Sequence, residues 1–388
     1  MTTYKILGTL QPERLTQIAA EVERRSKVKR DFLASRERVR LEDVEGAFHV
    51  RLDLRDGPEL FRLDRHALAQ LSQLVKLPIR TVEDLEARGH RDLVAGLVNG
   101  VLSREPGKHL FRELDGSVRA VLSDRFRCLD NRDAMAHTLQ AVKACKAQVW
   151  DLRLTDSSFR VLAAAPHIAG QVRMDRPIDG WRWKADRPDV VNAACVVENG
   201  ETGGTSLKGS LCLLRGICMN FSIHADCVAE RVIHSGKRLE GDGVIYSAET
   251  QAAEDRAVWL RIRDLVTTCF TPERFQALLD TLNAATQRVV EKDTTVTAVV
   301  DVALTDESIS QELREAIYEE MLSSGDRTQY GLAQAITAAA NPVSRGRRQL
   351  ADADLNALEA LGGEVLSWSA SDWTSINAAA RELATSES

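Results

Sequence analysis

The sequence lacks most of the features that would announce a membrane, secreted or well-known catalytic protein. No apolar run among its 388 residues approaches the ~20 needed to cross a bilayer. The opening stretch MTTYKILGTLQPER has no signal-peptide core, so a cytoplasmic protein without a membrane partner is expected. The seven cysteines (128, 145, 195, 212, 218, 227 and 269) are odd in number and show no tight paired spacing. This excludes the disulfide framework of a small secreted domain and leaves small buried thiols. No HExxH, GxSxG, GxxxxGK[ST] or GxGxxG occurs, and the spacing of the eight histidines selects no reaction. Internal repeats and low-complexity linkers are also missing. The net charge of -6 argues against a protein that is basic all over, but not against a local basic groove.

What is present centres on DGSVRAVLSDRFRCLDNRDAMAHTLQAV, residues 115–142. Asp115-Gly116 is a hairpin-turn signal within a hairpin spanning 109–129, and Val118, Ala120 and Leu122 alternate as in a strand. Ser123-Asp124-Arg125-Phe126 then breaks the strand. Asn131 is the expected N-cap of a helix over 131–146, with Met135, Leu139 and Val142 on one face. Arg119, Arg125, Arg127 and Arg132 cluster around the turn and suit a phosphate or carboxylate partner. Equally, they could pair with Asp115, Asp124, Asp130 and Asp133 nearby.

Upstream, residues 11–40 read as one long helix. Between Arg24 and Arg40 eight basic residues, including Lys27, Lys29 and Arg30, face only Asp31 and Glu37, a local charge of +6. Such a run either solvates a helix face or meets an anionic polymer. Strands are expected at 47–54 and 59–63, and a helix carries Leu68, Leu71 and Leu74, with others near 81–87 and 91–103. A strand pair at 148–155 and 158–165 carries Arg153 and Arg160. In the loop-like 170–190 stretch, Trp181 and Trp183 stand among basic residues, a mixture able to stack on bases while holding phosphates. Tryptophans that merely anchor the loop are the alternative.

Strands follow at 190–197, 205–214 and 216–223, with Arg215 near the end of the second. Gly200, Gly203 and Gly204 follow no phosphate-loop spacing. Cys218, His224, Cys227 and His234 match no common zinc finger, so no metal is expected. Asp124, Asp130 and Asp133 could be drawn as a nuclease metal site, but acids at a helix start have the simpler task of complementing its dipole. From Ala248 the pattern is helical: 248–270, a start at Thr271-Pro272-Glu273, then 306–323 closed by Gly325, 328–340, and 352–361 ended by Gly362-Gly363.

Several stretches together resemble the phage- and plasmid-borne family known as domain of unknown function 932. They are HALAQLSQLVKLP (66–78), DGSVRAVLSDRFRCLDN (115–131), VVENGETGG (196–204), LCLLRGICMNFSIH (211–224), RVIHSG (231–236) and GDRTQYGLAQAITAAAN (325–341). The chain departs from that pattern at Phe126, where tyrosine is usual, and at Met219-Asn220-Phe221 in place of Thr-Asn-Gly. The resemblance implies DNA transactions on mobile elements, with a remote analogy to phage single-strand annealing proteins, which form rings or filaments around a basic groove.

The expectation is therefore an α+β protein with a central, mostly antiparallel sheet, packed helices, a basic N-terminal helix and a helical C-terminal lobe. Its segments would be 1–45, 46–247 and 248–388. The expected function is sequence-tolerant binding of single-stranded DNA, with strand annealing and homo-oligomers, and without a cofactor. Its contacts would be Arg119, Arg125, Arg127, Arg132, Arg153, Arg160, Arg215, Lys27, Lys29, Arg30, Trp181 and Trp183. A non-enzymatic protein-interaction role, as in host-defence evasion, is the alternative, and a metal-dependent nuclease is a third reading.

Overall fold

In the computed structural model two β-sheets face different sets of helices, and the chain joins them by polar contacts between loops. The structure describes residues 10–173, 189–215, 221–232, 248–291, 294–304, 309–340 and 352–386. The first helix, α1 (Pro12–Val28), begins with Pro12 at its first position, where a missing N–H costs nothing. It stops at Val28, well short of the expected Arg40, because Arg30–Ser35 pairs as strand β1. A three-residue 3-10 turn, Arg36–Arg38, leads into β2 (Val39–Val44), and two tight hairpins add β3 (Ala47–Leu54) and β4 (Gly57–Leu63).

Three helices follow, α2 (Arg65–Leu74), α3 (Ile79–Ala87) and α4 (Arg91–Leu102), and then the hairpin β5 (Lys108–Leu114) and β6 (Ser117–Ser123). Asp115 and Gly116 both have positive φ, 52° and 85°, as the mirror-image turn favoured by a right-twisted hairpin requires. Strand order is β1-β5-β6-β4-β3-β2. The two edge strands are consecutive in sequence and separated only by Arg36–Arg38. An extended chain covers at most ~3.6 Å per residue, so the edges must meet at one corner and the sheet must curl. The rings of Phe32 (β1) and Phe61 (β4), 5.4 Å apart, fit that curvature.

The inner face buries Val50, Leu52, Phe61 and Val118 against Leu71, Val82, Val94 and Val98 of the three helices. Asn99 of α4 both donates to and accepts from the backbone of Leu41 (2.9 and 2.7 Å), which covers the otherwise open edge of β2.

The second sheet is an antiparallel meander of β7 (Gln148–Leu154), β8 (Phe159–Val172), β9 (Asp189–Asn199), β10 (Leu207–Arg215) and β11 (Phe221–Val232). The β8–β9 register slips between Ala165 and Ala169, around Pro166, which has no N–H for the ladder. β9 is buried along its whole length, as an apolar run flanked on both faces should be. One face packs on α5 (Asn131–Ala144), α6 (Ala248–Cys269) and α7 (Pro272–Gln287). The same apolar cluster continues through α8 (Val296–Ala303), α9 (Gln311–Ser324), α10 (Gln329–Ala340), α11 (Asp352–Ser367) and α12 (Ala370–Ser386).

The fold is α+β, as expected, and its strands form two mostly antiparallel sheets packed by helices. The expected border at 247/248 falls within a single core, since α6–α12 share buried contacts with β7–β10. α11 runs through Gly362 and Gly363 rather than ending there. A Cβ on Gly362 would lie 2.6 Å from Thr337 of α10, so glycine permits the close approach of the two helices.

Candidate functional site

Three of the motif-bearing stretches, 66–78, 115–131 and 196–204, meet at the seam between the sheets. Arg112 of β5 is 0% exposed, and its guanidinium is taken up on every side. Nε and Nη2 donate to Asp31 (2.9 and 3.0 Å), Nη2 also to Asp130 (3.0 Å), and Nη1 to the Glu201 carbonyl (2.8 Å). Lys29 pairs with Asp130 as well. The Asp130 carboxyl is pulled below its ordinary range, because Lys29 and Arg112 outweigh the effect of burial. Burial pushes the neighbouring Cys128 thiol up to about 11, with Asp31 and Asp130 adding to the rise against Arg112 and Lys29.

Glu201, in the β9–β10 turn, does two tasks. One oxygen accepts from Arg119 Nη2 of β6 (2.8 Å), and the other accepts from the Asn131 N–H (2.6 Å) at the start of α5. A carboxylate there satisfies an orphan amide and faces the positive end of the helix dipole. Asn131, expected as the N-cap, is thus the first helical residue, and it accepts from Asn199 Nδ2 (2.8 Å). Asp130 occupies the cap position but spends its side chain on Arg112 and Lys29. The next turn residue, Thr202, offers its carbonyl to His66 and Gln70 of α2, and the Gln70 side chain accepts from the Val121 N–H. The seam's charges (Lys29, Arg112 and Arg119 against Asp31, Asp130 and Glu201) cancel. Such an arrangement clamps two sheets and has no net charge to attract a polyanion.

Three expected phosphate contacts are corrected by burial. Arg119 is closed into the seam. Arg160 of β8 meets Glu198 at 3.0 Å and Glu359 of α11 at 2.5 Å. Arg215 of β10 donates to Asp189 at 2.6 Å and lies over the Tyr330 ring, whose hydroxyl donates to the other Asp189 oxygen at 2.7 Å. A phosphate could reach none of them without opening the core. Lys29 is also largely covered.

Other candidates lie nearer solvent but have carboxylate partners: Arg127 with Asp255 of α6 (2.6 Å), Arg132 with Glu23 (2.7 Å), Arg153 with Asp151 (2.6 Å) and Lys27 with Glu23 (3.2 Å). Arg30 meets Glu113 (2.8 Å) and Glu59 (3.0 Å) and lies over Phe32 and Phe61. The +6 run is therefore matched largely by acids from distant parts of the chain, which no local count of charge could reveal. Trp181 and Trp183 lie outside the described residues.

Arg125 is different. It is exposed at the end of β6, and its guanidinium has no hydrogen-bond or ion-pair partner among the described residues. Two further exposed arginines in the same condition, Arg38 and Arg104, belong to loops at this end of the curled sheet. Pairing of Ser35 with Lys108 and of His109 with Ser123 brings the three loops together, and the Arg36 N–H donates to the Gly107 carbonyl (2.9 Å). Across residues 35–38, 104–109 and 123–125 five basic side chains stand against three acidic ones, a surplus of two positive charges.

Within this rim Arg36 Nε donates to His109 Nε2 (3.1 Å), which leaves Nδ1 to donate to the Leu122 carbonyl (3.2 Å) and fixes a neutral ring. Burial, and then Arg36, holds the His109 pKa below its ordinary value. Sequence reasoning named Arg125 but not Arg38 or Arg104 as contacts, because their proximity depends on the closing of the β1–β2 corner.

Among the described residues no group of three or more His, Cys, Asp or Glu side chains is arranged to hold a metal ion, and no helix is long and apolar enough to cross a membrane. Compared with known proteins, the chain matches no family model, no curated protein and no solved structure.

Proposed function

We propose that the chain binds single-stranded nucleic acid without strong sequence preference at the open end of the curled sheet, through Arg38, Arg104 and Arg125. The observation that carries this reading is the convergence of three exposed arginines without carboxylate partners at one end of the curled sheet. Phosphate oxygens suit guanidinium groups, and contacts of this kind give affinity without sequence information. The motif resemblance to a mobile-element family supports a role in phage or plasmid DNA metabolism, with annealing by a homo-oligomer in the cytoplasm of the host as its fullest form. Neither metal nor nucleotide is required.

Fluorescence anisotropy with a labelled single strand across a salt series, beside duplex of the same sequence, tests this. The expected result is tighter single-strand binding that weakens steeply with salt, because each phosphate contact releases counterions. Absence of binding at physiological salt would refute it.

A second reading, binding of a protein partner, has its own observation. Leu93 and Leu97 of α4 are 53% and 54% exposed on one helix face, beside Gly96 and Gly100. Loss of partner binding in Leu93→Ser with Leu97→Ser, while nucleic-acid affinity stays unchanged, would favour it. The nuclease reading has less support, because Asp130 is committed to Arg112 and Lys29.

A further inference from the structure

Helix α4 turns its two faces to different surroundings. Val94, Val98 and Leu102 are buried in the core of the first sheet. On another face Leu93 and Leu97 are about half exposed, and Gly96 and Gly100 lie on the same stripe, since 93, 96, 97 and 100 follow the i, i+3, i+4, i+7 spacing of a helix. The packing within the chain requires neither glycine, because a Cβ built on Gly96 or Gly100 meets nothing within 4 Å. Neither has a positive φ, so backbone geometry does not select glycine either. Glycine is the poorest helix former after proline, so the two weaken α4 with no return inside the chain.

We propose that this stripe is a two-fold contact between two copies of the chain, with α4 packed antiparallel on α4. The stripe is complementary to itself. A two-fold axis between Gly96 and Leu97 sets Leu93 over the partner's Gly100 and Leu97 over the partner's Gly96, and the same contacts recur in reverse. Each leucine fills the hollow left by a missing side chain, and the helix axes approach closely. Charge favours the same arrangement. Arg88, exposed just before α4 and without a carboxylate partner among the described residues, comes to the end that carries the partner's exposed Glu105. A parallel pair would instead set Asp92, exposed in the first turn, beside the partner's Asp92. The inference rests on reading the α4 face as a protein-binding surface and names a second copy as its occupant. α4 has 12 residues and is ~18 Å long, so this contact alone falls below the ~1,200 Å² of stable interfaces and the dimer forms reversibly.

Analytical ultracentrifugation of the full-length protein without nucleic acid, over a concentration series into the high micromolar range, tests this. The wild type is expected to pass from monomer to dimer as concentration rises. Leu97→Asp, which sets carboxylates beside the axis on an exposed face, stays monomeric with unchanged circular dichroism. Gly96→Ala with Gly100→Ala separates the contact from the fold. It raises the melting temperature of the dilute monomer, because alanine favours the helix, yet weakens dimerisation ~tenfold or more by overfilling the hollows. A wild type that is monomeric throughout would overturn the proposal, as would a dimer that persists unchanged in Leu97→Asp. If the wild type is monomeric and Leu93→Ser with Leu97→Ser still abolishes binding of a different protein, the second copy is excluded while the protein-binding reading stands.

Discussion

Arg119 and Glu201 form a buried ion pair 2.8 Å long between β6 of the first sheet and the β9–β10 turn of the second. The same carboxylate caps α5, so one side chain links both sheets and a helix.

Removing Glu201 should therefore be costly. Glu201→Ala leaves Arg119 charged in the core and strands an amide at the start of α5, a loss of ~3–5 kcal/mol for a broken buried pair. Urea unfolding reads it. The double replacement Arg119→Met with Glu201→Leu should lose less than the single one, and an equal or larger loss would mean that packing rather than charge dominates the seam.

Gly203 sets how closely the turn approaches the first sheet. Its φ is +79°, and a Cβ there would lie 2.6 Å from Leu122 Cδ2. Gly203→Ala should cost ~1–3 kcal/mol through strain at a positive φ. A thermal midpoint equal to wild type would show that the turn adjusts freely.

How much of this was legible in the sequence follows from how local each signal is. The Asp115-Gly116 hairpin, α5, β7, the start of β8 and the Thr271-Pro272 start of α7 are set by neighbouring residues and lie within a few positions of their expected places, whereas β8 runs on to Val172, beyond the expected end at 165. β1 was hidden in the basic run, since Arg30–Ser35 becomes a strand only by pairing with β5, and the expected helix over 11–40 is halved for that reason. Burial of Arg119, Arg160 and Arg215 was equally illegible. Their partners Glu201, Glu359 and Asp189 lie 82, 199 and 26 residues away along the chain. A positive charge on a strand is read as a surface group until its partner is placed.

Lowering the pH should weaken the protein through His109. Its folded pKa lies below the unfolded value of about 6.5. Between the two values the unfolded chain holds more protons, so stability is full above about pH 6.5 and falls as pH drops through that window. His109→Gln should flatten this part of a melting-temperature profile relative to wild type. An identical slope in the variant would assign the effect to other groups.

Arg132→Ala and Lys27→Ala remove exposed partners of Glu23 and should each change stability by less than ~1 kcal/mol. Neither side chain belongs to the end of the curled sheet, so single-strand affinity should change little in either variant. A large drop in affinity would move the binding surface from the end of the curled sheet to the face shared by α1 and α5.

The most direct test compares wild type with Arg38→Ala, Arg104→Ala and Arg125→Ala combined, by single-strand anisotropy over a salt series, with circular dichroism as the folding control. The account predicts unchanged folding, affinity reduced at least tenfold at low salt, and a shallower dependence of log K on log salt, by up to ~2 units for three lost phosphate contacts. Wild-type affinity and slope in the folded triple variant would contradict it.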